Sequence, residues 1–197
     1  MKLLIETENQ PINMSFDTND SIINFSNNKN LYSSNYNIRL YNIENTNKDL
    51  IATIKGTYFD IIYIIENDLN LYKILNKKIK ESTLLENLLD HYGEIRGQYL
   101  SSFLNLYFID KISIEKKYKN QNYDILLLSN IIKILMFKDK KMIGNVIIKP
   151  ELDYKIKENS TIEYYKYEDK LNKLINAYKK CGFEKIQNTD YMILVNE

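Results

Sequence analysis

The stretch FIDKISIEKKYKNQNYDILLLSNIIKILMF, followed after a KDKK turn by MIGNVIIKP, constrains the fold of this chain more than any other part of it. FIDKISIEK is rich in β-branched residues and reads as a strand, and YKNQNYD is a polar loop without glycine. ILLLSNIIKILMF is apolar on most sides, so it reads as one largely buried helix. MIGNVIIKP is a second strand, stopped by Pro150, which has no N–H to give to a ladder. Two strands joined through a helix pair in parallel by a right-handed crossover. The chain therefore needs a sheet with a parallel pair at its heart.

The flanking segments fit around that unit. Residues 37–44 (NIRLYNIE) and 50–66 (LIATIKGTYFDIIYIIE) are strand-like and separated by the turn-forming NTNKD, which predicts an antiparallel pair with a bend at Gly56. In residues 69–95 the spacing becomes helical, with Leu71, Ile74, Leu75 and Ile79 on one stripe and Leu84, Leu85, Leu88 and Leu89 on another. Thr83 and Glu86 have capping-box spacing, so two consecutive helices are expected there. Gly93 and Gly97 mark a loop. Leu171, Leu174, Ile175 and Tyr178 share one face of a last helix that Gly182 should end in a left-handed cap, and FEKIQNTDYMILVN closes the chain as two short strands. Residues 1–35 are dense in Asn, Asp and Ser and read as strand and loop. The expected class is an α/β or α+β layer in one domain, 1–197, with helices on both faces of a mixed sheet.

Composition removes several functions. The 27 basic and 26 acidic residues leave a formal net charge of +1, so no global field draws nucleic acid or an anionic membrane. No run approaches the roughly 20 apolar residues that span a bilayer, and MKLLIETENQ turns polar too early for a signal core. A soluble, cytoplasmic chain is expected. A single cysteine, Cys181, and a single histidine, His91, exclude an internal disulfide, a multi-thiolate metal site and most Ser-His or Cys-His arrangements. No metal is expected. His91 reads as a helix-end residue and Cys181 as a small packed one.

Three pieces of the chain together resemble the GNAT superfamily of acyl-CoA-dependent N-acyltransferases, over roughly residues 37–197. FIDKISIEKKYKNQNYDILLLSNII is similar to the family's central strand, pyrophosphate loop and following helix. VIIKP is similar to the next strand, beside which the central strand splays to admit the cofactor. KLINAYKKCGFEKIQNTDYMILVN is similar to the last helix and terminal strands, where a tyrosine stands four residues before Gly-Phe. The resemblance implies a mostly antiparallel sheet with a parallel central pair. It treats residues 66–97 as a helical insertion before the central strand and leaves 1–36 as an unexplained N-terminal extension.

It also implies a site. The backbone of Ile112, Ser113 and Ile114 would bond the pantetheine arm of acetyl-CoA as an added strand would. Lys119, Asn120, Gln121, Asn122, Tyr123, Asp124 and Ile125 would form the pyrophosphate loop and helix start, with Lys119 where the family has Arg or Gln. Tyr178 stands at the position of the general acid, and a core role is the alternative for a tyrosine on an apolar stripe. Asp110 is the candidate base, with Glu66 and Asp68 behind it.

The loop departs from the family where glycine is usual, at Asn122 and Asp124. Asn tolerates positive φ. A carboxylate in the first helical turn would cap the amides that a pyrophosphate needs and would repel phosphate. Two functions follow. One is an N-acetyltransferase moving an acetyl group from acetyl-CoA to an amine of a small molecule or protein. The other is an inactive protein of the same fold that binds a protein partner, with the tyrosine-rich segments 32–41 and 154–167 as contact surface.

Overall fold

The strand–helix–strand unit sits at the centre of a seven-stranded mixed sheet, with β1 (Lys2–Pro11), β2 (Ser33–Glu44), β3 (Asn47–Phe59), β4 (Asn105–Ile114), β5 (Ile143–Ile148), β6 (Glu184–Lys185) and β7 (Met192–Val195) in the order β1-β2-β3-β4-β5-β7-β6. The structure is a computed structural model that describes residues 2–11, 32–44, 47–119, 121–138, 142–152 and 161–196. β4 and β5 run parallel, and every other neighbouring pair is antiparallel. The class expected from the sequence is therefore the class observed: mostly antiparallel, one parallel central pair, helices on both faces.

Strand alternation divides the core between those faces. Tyr107 and Ile109 of β4, with Val146 and Ile148 of β5, pack on the segment after β4 and on the last helix, where they meet Leu127, Leu128, Ile131 and Tyr178. Leu106 and Phe108, with Ile147 and Ile193, point the other way onto Leu75, Leu84, Leu85 and Leu88. The helices on this second face are α1 (Ile61–Glu66), α2 (Leu71–Ile79) and α3 (Ser82–Leu88). Those on the first are α4 (Tyr123–Leu128), α5 (Ile131–Lys133) and α6 (Thr161–Lys180).

Three local expectations are corrected, and the start of the last helix, which the sequence left open, is filled in. The strand read through residue 66 ends at Phe59, because Asp60 caps α1 by accepting the Tyr63 N–H at 3.0 Å and Ile61 and Ile64 are buried at helical spacing. The single buried helix is broken: Ser129 Oγ and Asn130 Nδ2 both donate to the Leu126 carbonyl, at 3.1 and 2.9 Å, and compete with the backbone for the end of α4. The chain resumes as α5 and runs on as a π-helix, Ile134–Lys138. The two consecutive helices expected before β4 are present as α2 and α3, yet no capping box marks the break. Lys80 in the left-handed region ends α2, and Glu81 opens α3 with no side-chain cap. α6 begins at Thr161, well before Leu171. Its end is as expected, with Gly182 at φ 93° and Phe183 N–H reaching back to the Tyr178 carbonyl at 3.2 Å.

The bend foreseen at Gly56 is a bulge whose extra residue lies on the opposite strand. Lys55 faces Lys111 and Gly56 faces Ile109, so Asp110 has no counterpart across the ladder. A Cβ on Gly56 would lie 2.6 Å from both the Phe108 carbonyl oxygen and the Tyr107 ring. Glycine is required there by that close approach.

Candidate functional site

β4 is longer than its parallel neighbour can cover. It pairs with β3 as far as Ile114, whereas its pairing with β5 ends at Ile109. Glu115 N–H donates to the Ile51 carbonyl at 2.8 Å. Because an antiparallel ladder alternates, Ser113 then turns its N–H and C=O toward β3, and Ile112 and Ile114 turn theirs away from it. Among the described residues no strand pairs with that edge. The bulge at Asp110 is the point where β4 leaves β5.

A cleft of about 520 Å³ opens along this edge. Ile109, Ile112 and Ile114 form one wall, Ile148 and Leu152 the other, and Leu174 and Tyr178 of α6 close one end. The polar lining consists of Asp110, Lys111, Lys119, Asn122, Asp124, Lys149 and Glu151. Of the residues expected at a site, Asp110, Ile112, Ile114, Lys119, Asn122, Asp124 and Tyr178 are brought together. Ser113 and Gln121 are not in the lining, and Asn120 lies outside the described residues. Tyr123 is buried, with its ring 5.9 Å from Tyr118 in an edge contact, and Ile125 packs on the same core.

Asn122 occupies the place of a glycine in the conformation a glycine would take, φ 56° and ψ 32°, and precedes α4 without a side-chain cap bond. Asp124 is not the N-cap the sequence suggested. It lies one residue inside the helix and lines the cleft. Its charge reaches two neighbours. Tyr178, 4% exposed, has its phenol pushed well above the usual range, first by burial and then by Asp124. The Cys181 thiol is raised by the same two causes, and its Sγ contacts the Ile125 carbonyl at 3.8 Å, which is the packed role expected of it. Tyr178 therefore keeps its proton at neutral pH while facing the cleft.

Asp110 stands at the bulge with two contacts on a single oxygen. Lys78 Nζ of α2 lies 3.2 Å from Oδ2, and Thr57 Oγ1 donates to Oδ2 at 3.4 Å. Oδ1 takes neither. Glu66 ends α1 and Asp68 sits in the turn after it at φ 52°, and neither lines the cleft. His91 lies in the turn beyond α3, its ring 3.8 Å from that of Tyr92, and so does not stand at a helix end. Tyr36, within one of the proposed contact segments, is 1% exposed and cannot serve a partner; residues 154–160 of the other segment lie outside the described residues.

The resemblance pointed to VIIKP as the strand beside which β4 splays, but Ile148, Lys149, Glu151 and Leu152 of the far wall were not among the expected site residues. Lys149 is largely committed to the other face, where Nζ lies 3.3 Å from Glu81 Oε1, 3.9 Å from Asp190 Oδ2 and 5.5 Å from the centre of the Tyr191 ring. Among the described residues no group of His, Cys, Asp and Glu could hold a metal ion, and no helix is long and apolar enough to cross a membrane. No family model, no curated protein and no solved structure matches this chain, so the function of the cleft rests on its geometry.

Proposed function

We propose that the chain is a GNAT-like N-acetyltransferase that takes an acetyl group from a pantetheine thioester, acetyl-CoA in the family it resembles, and delivers it to an amine. The observation that carries this reading is the backbone edge of Ile112 and Ile114, turned into a cleft between parallel strands that have parted. An extended amide-bearing arm binds such an edge as an extra strand does, without asking anything of side chains. The cleft has the size of a small-ligand site, with apolar and polar residues in about equal measure along its walls.

When bound, the donor supplies a thioester carbonyl and a thiolate leaving group. The protein's part is to orient it and to manage two protons. Tyr178 is a buried, protonated phenol lining the cleft and can donate a hydrogen bond to the departing sulfur, which its raised pKa keeps short of full proton transfer. Asp110 offers Oδ1 to the ammonium of an incoming amine, with Oδ2 held by Lys78 and Thr57.

Melting and titration calorimetry with acetyl-CoA test the reading. At 100 times its dissociation constant a ligand specific for the folded state should stabilise it by about 2.7 kcal/mol. At the 2–4 °C per kcal/mol usual for this size, the melting temperature should rise by about 5–10 °C. No shift at millimolar concentration of any acetyl or pantetheine thioester would contradict the reading. It would favour the protein-binding alternative, in which the same edge receives an extended peptide.

A further inference from the structure

The two halves of an acyl-CoA would meet different surroundings here. The pantetheine arm is uncharged, presents amides in series, and matches the outward N–H and C=O groups of Ile112 and Ile114. The nucleotide half is a polyanion whose diphosphate needs closely approaching backbone and net positive charge. The charged lining is Asp110, Lys111, Lys119, Asp124, Lys149 and Glu151, three carboxylates against three ammonium groups. One of the three lysines brings little to a diphosphate, since Lys149 is shared with Glu81 and Asp190. On the loop itself Lys119 and Asp124 both line the cleft, and nearby Lys117 is held by Asp49. Asn122 supplies the left-handed turn but puts a side chain where a glycine would leave backbone bare.

We infer that the cleft recognises the acylated pantetheine arm alone and that Asp124 sets it against a nucleotide diphosphate, so that the donor is a pantetheine thioester without that group. This rests on the acetyl-transfer reading and narrows its donor class. The same arm can arrive as a small thioester or on the phosphopantetheine of a carrier protein. Both sources present the chemistry that Ile112 and Ile114 can read, and neither brings a diphosphate to Asp124.

Titration calorimetry on the full chain tests it, with S-acetyl-pantetheine, acetyl-CoA and an acetyl-phosphopantetheine carrier protein as ligands, on wild type and Asp124→Asn. Asparagine has the shape of aspartate, and among the described residues no hydrogen bond to the Asp124 carboxylate holds α4 in place, so the variant should fold as wild type. The expected result is that acetyl-CoA binds wild type no tighter than S-acetyl-pantetheine does. Asp124→Asn should then tighten acetyl-CoA by about tenfold and leave the arm's affinity within about twofold, one desolvated charge being worth roughly that factor. Tighter binding of the carrier-borne arm would assign the source to a protein; equal binding would assign it to a small thioester, and both agree with the inference. Acetyl-CoA binding wild type clearly tighter than the arm, by about threefold or more, or indifferent to Asp124→Asn, would overturn it while leaving acetyl transfer intact. Failure of all three ligands to bind would overturn both.

Discussion

Replacing Gly56 with alanine is expected to destabilise the fold by about 3 kcal/mol, the upper range for overpacking a close-packed interior, and to lower the melting temperature by about 6–12 °C. The new Cβ would lie 2.6 Å from the Phe108 carbonyl oxygen and from the Tyr107 ring. Neither can yield easily. Phe108 is part of the central strand, and Tyr107 is fully buried with its hydroxyl donating to the Tyr36 carbonyl at 2.9 Å. The ring also lies edge-on to Tyr36, centroids 6.0 Å apart, so a displaced Tyr107 would disturb β2 as well as β3. Gly97→Ala is the control, since a Cβ there meets nothing within 4 Å, and its melting temperature should match wild type within about 1 °C. Calorimetric melting of the two variants checks this. Because the bulge that lifts β4 from β5 lies directly opposite Gly56, the folded fraction of Gly56→Ala should also bind ligand more weakly.

Asp110→Asn is expected to lower the rate of acetyl transfer by about 10²–10⁴-fold, the range for losing a positioned base, with melting nearly unchanged. The side chain is 33% exposed, and an ion pair such as Asp110–Lys78 contributes only about 0–1 kcal/mol in that setting, so a merely structural carboxylate would leave the rate alone. Tyr178→Phe should cost less, about tenfold. A thiol with a pKa of about 8.5 departs without much help. The pair separates the roles: a large effect at Tyr178 and none at Asp110 would move the proton acceptor elsewhere. Rates are measured with S-acetyl-pantetheine and acetyl-CoA against a panel of amines.

The sheet's centre was legible because its residues answer to one demand at a time. FIDKISIEK and VIIK alternate or run apolar as buried strands must, and the intervening helical segment forces them parallel. Helix-end signals in residues 69–95 likewise located two helices, although the break is made by Lys80 at φ 53° rather than by a capping box. Where two demands competed, the sequence was ambiguous. IIYIIE carries β-branched residues suited to a strand, and only the Asp60 cap turns it into α1. ILLLSNIIKILMF has no polar face to show a break, which depends on hydrogen bonds from Ser129 and Asn130 that compete with the helix. The site was legible as a loop and a strand, with Asp124 found in the lining of the cleft but one residue inside α4 rather than at its cap. The far wall at Ile148, Lys149, Glu151 and Leu152 was not legible, because it depends on how far two strands stay paired, and that is set by the bulge at Asp110.

Backbone amide exchange at residues 112–114 reads the central claim most directly. In the free protein the Ser113 amide is bonded toward β3 and should exchange slowly, while those of Ile112 and Ile114 face the cleft and should exchange faster. Saturating S-acetyl-pantetheine should slow Ile112 and Ile114 by about tenfold or more and leave Ser113 as it was. Unchanged exchange at Ile112 and Ile114 under saturating ligand would contradict the claim that this edge of β4 is what the cleft uses to bind.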